Sequence, residues 1–402
     1  QAIVALTTDP SNGEVLLLDR GNTGAGPTTG RILRITRGSE SRDYPQTLSS
    51  TNFFADLADL TPNPGAVAYQ PNLRFWSDFA EKSRWFVLGD TDASTSFAAE
   101  GPWDYPLGML WVKHFDYPTQ WESFSRTING QTVADRRPKP GSPRRRLETR
   151  FLLRNTNGSY GVSYRWNNLN SGVQDDAVLA GSDGENFNID ITVDGSALQV
   201  PWEIPSRSSC LTCHTPQAGH ALSFNTRQLN AQGSIEGVTG NFLTLLHTAG
   251  YVTGMSAPPS SHPRHIRPDE ASYSLEARVR SYLDVNCAYC HQSGGTGGGN
   301  WDGRSHLPLR EAGLVNMEGV DAPLQTGDLL VRPGNANASI VYNRTSKSNG
   351  YSRMPPLASN VVDLEGAELL SKWIGEEVQP HVTYEVWRIA NFGNGTSVEG
   401  ES

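Results

Sequence analysis

The order of apolar and polar residues divides the chain into a strand-rich first part and a second part in which helices appear. Residues 13–19 (GEVLLLD) and 30–36 (GRILRIT) are short apolar runs, which is typical of strands. Two strands alone cannot bury a face, so we expect them to belong to a larger sheet. Residues 37–74 are rich in Ser, Thr, Asp and Pro and predict a linker, with one short helix near FFADLADL, residues 53–60.

Residues 75–205 predict a β-rich domain, because helical periodicity is scarce there. Residues 108–117 (GMLWVKHFDY) contain an apolar core strand. Residues 147–154 and 160–166 are separated by NTNGS, whose residue types are typical of turns, so this pair predicts a hairpin. The expected architecture is a sandwich or a barrel-like fold.

Helical periodicity appears twice in the remaining chain. Residues 275–285 (LEARVRSYLDV) and 364–374 (LEGAELLSKWI) each bring their apolar residues onto one helical face. Asp363 stands directly before the second of these segments, where a helix N-cap is expected.

Composition narrows the class of protein. The chain has 402 residues and a net charge of −9, which argues against a nucleic-acid-binding surface. No run approaches 18 consecutive apolar residues, so the sequence predicts no membrane span, and no signal peptide is visible. Because the chain starts at Gln1 rather than Met, we expect a processed product or a piece of a longer polypeptide.

All four cysteines lie in two copies of the pattern C-x-x-C-H. Cys210 and Cys213 precede His214, and Cys287 and Cys290 precede His291. This is the attachment sequence of c-type haem. Residues i and i+3 share one side of a helical turn, so the two thiols of each motif can reach the two vinyl groups of one porphyrin. The following histidine then ligates the iron, and we expect two covalently bound haem c groups.

Two other chemistries use paired cysteines. A zinc ribbon usually places its pairs about 15–20 residues apart, whereas Cys213 and Cys287 differ by 74 positions, and zinc does not require a histidine after each pair. Thioredoxin-like redox chemistry needs one such motif beside a βαβ unit, and no such unit is predicted. The sequence therefore favours haem.

The second motif has a candidate sixth ligand. Met354 follows His291 by 63 residues, in the segment SRMPPLASN, and the two prolines stiffen the loop that carries it. A thioether sulfur suits the sixth position of a haem iron and raises its potential.

The first motif has several candidates. We favour His247, the one histidine of the apolar helical segment FLTLLHTAGY, and keep His114 on the neighbouring β-rich region as the alternative. Met255 is a further candidate for the sixth ligand of the first haem, and an iron with no sixth protein ligand is the last alternative.

Several blocks resemble a bacterial family of secreted dihaem c-type cytochromes, over roughly residues 45–376. The blocks are FWSDFAEKSRWFVL, GPWDYPLGMLWVKHF, RRLETRFLLR, GVSYRWN, PSRSSCLTCHTP, SFNTRQLN, NCAYCHQSGG and RMPPLASNVVDLEGAELLSKWI. Members occur alone or fused behind a quinoprotein sugar dehydrogenase of the glucose/sorbosone type, a β-propeller. The segment NGEVLLLDRGNTGAGPTTGRILRIT looks like the closing blade of such a propeller.

The resemblance implies haem attachment through the four cysteines, axial ligation by His214 and His291, and Met354 as the distal ligand of the second haem. The expected fold is multidomain, a β-rich domain plus α-helical cytochrome c-type haem domains. The expected divisions are closing propeller-blade strands at 1–36, a linker at 37–74, the β-rich domain at 75–205, a first haem region at 206–268, a cytochrome c domain with the second haem at 269–378, and a C-terminal tail at 379–402.

The expected function is electron transfer, from a quinoprotein dehydrogenase to a cytochrome or surface acceptor, in the periplasm or outside the cell. On this expectation the chain is a module of an oxidoreductase rather than an enzyme by itself. The alternative is a dihaem peroxidase-like enzyme, in which one haem keeps an open position for peroxide.

Overall fold

The computed structural model describes residues 3–8, 15–19, 31–35, 44–167, 176–320, 324–357 and 359–378. They belong to two compact units, residues 1–45 and 46–402. The first unit is an antiparallel sheet in the order β1-β2-β3. Its strands are β1 (Ile3–Thr8), β2 (Val15–Asp19) and β3 (Arg31–Ile35). The predicted strands at 13–19 and 30–36 are confirmed as β2 and β3, while their place in a propeller blade stays a prediction.

The second unit has many strands, most of them before residue 205. They are β4 (Phe54–Asp56), β5 (Thr61–Pro62), β6 (Val67–Ala68), β7 (Glu81–Val87), β8 (Thr95–Ser96), β9 (Leu110–Pro118), β10 (Gln120–Ile128), β11 (Gln131–Pro138), β12 (Arg144–Asn155), β13 (Gly158–Trp166), β14 (Ala177–Leu179), β15 (Glu185–Val193), β16 (Ser196–Ile204), β17 (Gln232–Ile235), β18 (Val238–Asn241) and β19 (Val252–Thr253). The predicted hairpin is confirmed, since β12 and β13 pair antiparallel from Glu148–Arg165 to Asn155–Gly158.

Two larger sheets form the β-rich part. One has six strands in the order β14-β13-β12-β9-β7-β6, and the other has four in the order β11-β10-β15-β16. Strands of both sheets supply one apolar core, to which Phe115 and Leu147 belong from the first sheet and Trp121, Ile189 and Trp202 from the second. Burial of these large side chains holds the two sheets together.

The helices are few and mostly short. They are α1 (Arg207–Cys213), α2 (Thr226–Leu229), α3 (Phe242–Thr248), α4 (Leu275–Asn286), α5 (Ile340–Ser346) and α6 (Leu364–Glu376), with 3-10 turns at Ser49–Thr51, Pro259–Ser261, Leu309–Glu311 and Ala336–Ala338. The helices predicted at 275–285 and 364–374 are confirmed as α4 and α6. The Asp363 cap is also confirmed, because its carboxylate accepts the Gly366 N–H at 2.9 Å.

The predicted fold class is nevertheless wrong. Strands make up 32% of the structure and helices about 19%. The described residues form several sheets and six helices, and they do not have the character of a helical haem domain. The physical reason lies between α4 and α6. Residues 287–320 and 324–339 are rich in Gly and, apart from two 3-10 turns, form turns, bends and irregular chain, so two amphipathic helices do not make a helical domain.

Helices α4 and α6 pack directly on each other over a shared apolar core. The ring of Tyr282 on α4 lies so close to Gly366 on α6 that a Cβ at Gly366 would overlap it. The Tyr282 hydroxyl donates to Asp363 at 3.1 Å. This contact fixes the position of α4, and the second C-x-x-C-H motif follows directly after α4.

The six-stranded sheet has two covered faces. Trp85, Val112 and Phe151 are opposite one another on one face, where Phe53 packs edge-on against both Trp85 and Phe151. The helix predicted near 53–60 is wrong, since β4 begins at Phe54 in this layer. Tertiary packing of the aromatic rings overrides the local helical pattern.

The opposite face carries Phe86, Trp111 and Leu152 in register. These side chains share a core with Phe224 and with the buried face of α3. This second face is the one that α1 and the first C-x-x-C-H motif lie against.

Candidate functional site

The first motif forms one short helical turn on the six-stranded sheet. Helix α1 begins after Ser206, whose hydroxyl accepts the Ser209 N–H at 3.0 Å. The His214 N–H donates to the Cys210 carbonyl at 3.0 Å, so the turn continues to the histidine. Cys210 and Cys213 therefore lie on the same side of the turn, as attachment to one porphyrin requires.

Strand β13 accommodates α1 through a glycine. A Cβ built on Gly161 would lie 3.2 Å from the Cys210 sulfur, which is closer than ordinary contact. The absence of a side chain at Gly161 thus lets α1 approach the sheet.

His214 is prepared to act as a ligand. Its Nδ1 lies 2.5 Å from the His220 carbonyl oxygen, which can only accept, so Nδ1 carries the proton and Nε2 has the free lone pair. Burial, assisted by the charge of Lys113, lowers the pKa of His214 to about 4, so the ring is neutral at physiological pH. Metal-ligating histidines commonly have their other nitrogen fixed in this way.

The second motif repeats the turn at the end of α4. The Cys287 N–H donates to Leu283 at 2.8 Å, and the His291 N–H donates to the Cys287 carbonyl at 2.9 Å. Cys287 packs against the core that α4 and α6 share. The His291 ring stacks on Trp301, with centroids 4.6 Å apart and planes at 21°.

The two motifs meet in space. The sulfurs of Cys213 and Cys290 are 3.6 Å apart, although 77 residues separate them in the chain. Thr296 donates to the Thr212 carbonyl at 2.7 Å, which ties the loop after the second motif to α1. The hydrogen bond from Cys213 holds the pKa of Cys290 below its ordinary value. Nothing in the sequence indicated this contact.

Met354 is tied to the end of α5 through its backbone. Its N–H donates to the Arg344 carbonyl at 3.0 Å. Burial lowers the pKa of His291, and the positive charge of Arg344 contributes to the lowering. The ligand role of Met354 stays a prediction.

The two histidine candidates for the first haem differ in what they already bind. His247 is exposed on the last turn of α3, and its Nδ1 lies 3.1 Å from the Val252 carbonyl. His114 is fully buried on β9, with Nδ1 2.8 Å from the Thr149 hydroxyl and Nε2 3.2 Å from Asp116. Both ring nitrogens of His114 thus have partners within the protein, so ligation by His114 would require the loss of one of these contacts.

Cationic side chains surround the first motif on the sheet side. Arg150 makes a two-point ion pair with Glu148, at 2.7 Å and 2.6 Å. Burial lowers the pKa of Lys113 to about 7, assisted by the charges of Arg84 and Arg150. Burial raises the pKa of the Cys210 thiol, and the charges of Arg150 and Lys113 oppose that rise.

The zinc alternative requires three or four ligands that converge. Within the ranges that the structure describes, no three His, Cys, Asp or Glu side chains lie together as a metal-ion site. The same ranges contain no helix with the length and apolar character of a membrane span.

Comparisons with known proteins add no family. No protein-family model matches the chain, no curated protein matches it, and no solved structure matches it.

Proposed function

We propose that this chain is an electron-transfer protein that carries two covalently attached haem c groups. The observation that carries the proposal is the contact between two C-x-x-C turns, with Cys213 and Cys290 3.6 Å apart at their sulfurs. Two haems attached there would lie side by side, and electron exchange becomes faster as cofactors approach. Each turn also has a histidine directly behind it.

The residues have separate roles in this proposal. Cys210 and Cys213 would hold one haem through thioethers, and the free Nε2 of His214 would bind its iron, oriented by the Nδ1 hydrogen bond to the His220 carbonyl. When bound, the haem supplies a one-electron Fe(III)/Fe(II) couple. The protein supplies spacing, burial and the choice of ligand.

The second site is organised in the same manner. Cys287 and Cys290 would hold the second haem through thioethers, and His291 would bind its iron, with its ring oriented by stacking on Trp301. Met354 would supply a second, thioether ligand to this iron, which raises its potential.

The family resemblance extends the proposal to partners and compartment. The donor is a quinoprotein sugar or alcohol dehydrogenase, and the acceptor is a cytochrome or a surface protein. Haem c is attached outside the bacterial cytoplasm, so the chain works in the periplasm or outside the cell.

The Cys213–Cys290 contact also favours a second candidate function. Two thiols this close could form a redox-active disulfide, in which the dithiol gives two electrons and two protons to an acceptor. The lowered pKa of Cys290 would assist such a reaction, because the thiolate is the reactive form.

Mass spectrometry of the denatured protein, made in cells that attach haem c, separates the two candidates. We expect two added haems in the native sequence, and one in each full-length double variant, Cys210→Ala/Cys213→Ala and Cys287→Ala/Cys290→Ala. A matched control, His306→Ala, changes a histidine outside both motifs and should retain two. Absence of bound haem, with a mass lower by two hydrogens, would refute haem attachment and favour the disulfide.

A further inference from the structure

A row of cationic side chains crosses the sheet face that α1 lies against. Arg84 on β7, Lys113 on β9 and Arg150 on β12 are paired in register, so their side chains share one face. Lys82 lies two residues before Arg84 and points to the same face. Glu148, two residues before Arg150, is a fully buried carboxylate on the same face, and Asp78 and Glu203 are further carboxylates near Lys82 and Arg150 respectively.

The protein neutralises only part of this charge. Arg84 is 5% exposed, and its Nε–H has no partner among the described residues, while its Nη1 donates to the neutral Gln70 amide at 3.1 Å. Lys113 has no hydrogen-bond or ion-pair partner in the described part of the chain. Lys82 donates to the Phe75 carbonyl at 2.6 Å, which is also uncharged.

Buried charges of one sign are costly without counter-charges. The Glu148 carboxylate already forms two hydrogen bonds with Arg150, and within the described residues neither Arg84 nor Lys113 has a carboxylate at ion-pair distance. Arg84 and Lys113 are therefore largely buried cations without a direct counter-charge, which is the arrangement of an anion-binding site. Guanidinium and ammonium groups are the usual partners of carboxylates.

The row runs from the first motif to a cavity. At one end, Arg150 and Lys113 share the sheet face on which the Cys210 sulfur lies against Gly161, since Gly161 pairs with Leu152, two residues from Arg150. At the other end, Lys82 and Arg84 line a cavity of about 440 Å³, whose lining also holds the carboxylates of Glu81, Asp269, Asp363 and Glu365. Because these charges are mixed, the anion site is assigned to Arg84 and Lys113 and not to the cavity as a whole.

We propose that Lys113 and Arg84 bind the propionate carboxylates of the haem attached to Cys210 and Cys213, and that the cationic row raises the potential of this haem relative to the other. The inference rests on the proposed function. Positive charge beside the haem stabilises the reduced iron, and it also neutralises the propionates, so both effects act in the same direction.

The test is a spectroelectrochemical titration of the intact two-haem protein. Lys113→Gln and Arg84→Gln should each lower one midpoint potential and leave the other in place. Lys347→Gln is the matched control, since Lys347 is exposed and far along the chain from the row, and it should move neither potential. The variant Cys287→Ala/Cys290→Ala identifies the responding haem, because it retains only the first one.

The outcomes distinguish failure of the propionate assignment from failure of the proposed function. Two bound haems with unchanged midpoints in Lys113→Gln and Arg84→Gln, or equal shifts of both haems, overturn the assignment. If the single-haem variant does not fold, the native titration still decides, through the number of midpoints that move. Absence of covalent haem in the mass spectrum overturns the proposed function itself.

Inorganic phosphate tests whether the anion comes from another source. At constant ionic strength, added phosphate should leave both midpoints of the native protein unchanged, because the propionates already occupy the cations. A phosphate-dependent shift that Lys113→Gln abolishes would mean that the row is open to a free anion, and it would overturn the propionate assignment.

Discussion

Replacing Glu148 by glutamine should strongly destabilise the chain. Glu148 is fully buried, accepts two hydrogen bonds from Arg150 at 2.6 and 2.7 Å, and accepts a third from the Trp202 indole at 2.9 Å. Glutamine keeps the shape and can keep the Trp202 bond, so the change isolates the charge. Breaking one partner of a buried ion pair typically costs about 3–5 kcal/mol, because the other charge stays buried without compensation.

Urea unfolding followed by tryptophan fluorescence measures this effect, since the chain has ten tryptophans. We expect Glu148→Gln to reduce the free energy of unfolding by about 3 kcal/mol or more, at the lower end of that range because one hydrogen bond survives. Adding Arg150→Met should recover much of the loss, since the uncompensated cation is removed, and a double-mutant cycle gives the coupling.

The exposed pair of Arg137 and Glu122 is the matched control. It also has a 2.6 Å contact, but the two side chains are 65% and 35% exposed. Surface pairs of this kind contribute about 0–1 kcal/mol, so Glu122→Gln should change stability little. If Glu148→Gln lowers the free energy of unfolding no more than Glu122→Gln does, the surroundings of Glu148 are not a low-dielectric interior.

Three further predictions concern the second half of the chain. Met354→His should lower the midpoint potential of one haem and leave the other nearly unchanged, because a thioether favours the reduced iron more than an imidazole does; if both midpoints stay in place, Met354 is not a ligand. Gly366→Ala should destabilise by about 1–3 kcal/mol in urea, because the new Cβ overlaps the Tyr282 ring, and Tyr282→Leu should relieve part of that loss. Burial raises the pKa of Asp363 to about 6, so Asp363 binds a proton more tightly in the native protein than in the unfolded chain. The free energy of unfolding should therefore fall as pH rises from about 4 to 6. Asp363→Asn should remove this pH dependence, and an unchanged dependence would contradict the assignment.

Local signals in the sequence predicted the local structure well. The turn residues between 147–154 and 160–166 indicated the β12–β13 hairpin, because a tight turn between apolar strands has few other outcomes. Period-3.6 spacing indicated α4 and α6, and Asp363 marked the start of α6. In each case the decisive residues are neighbours in the chain.

Long-range contacts were not predictable in the same way. The helix expected near FFADLADL is a strand in the structure, because Phe53 and Phe54 pack on Trp85 of a distant strand. The helical domain expected at residues 269–378 is wrong, because periodicity in two segments says nothing about the glycine-rich chain between them. The cationic row depends on the register of three strands, and no spacing within one strand reveals it.

For the candidate site, too, the local features were predictable from the sequence and the long-range contacts were not. The motifs themselves, with their cysteines and histidines, were evident from spacing. The partners of the histidines were not: His220 offers only its carbonyl, and Trp301 lies in a Gly-rich loop ten residues after His291. Carbonyls and ring stacking carry no residue-type signature, so only the folded arrangement reveals them.

The contact between Cys213 and Cys290 has a consequence for the order of events while the protein is made. If the chain is exported and loaded with haem as proposed, residues 210–214 would emerge 77 positions ahead of the second motif. An attachment enzyme would then meet the first motif while the sulfur partner of Cys213 is still absent. In the oxidising compartment of the proposal, two free thiols 3.6 Å apart would readily form a disulfide once both motifs have folded. Limiting the haem supply should therefore trap chains joined at Cys213 and Cys290, detectable as a band that thiol reagents restore. Attachment of the first haem during export would protect both motifs at once.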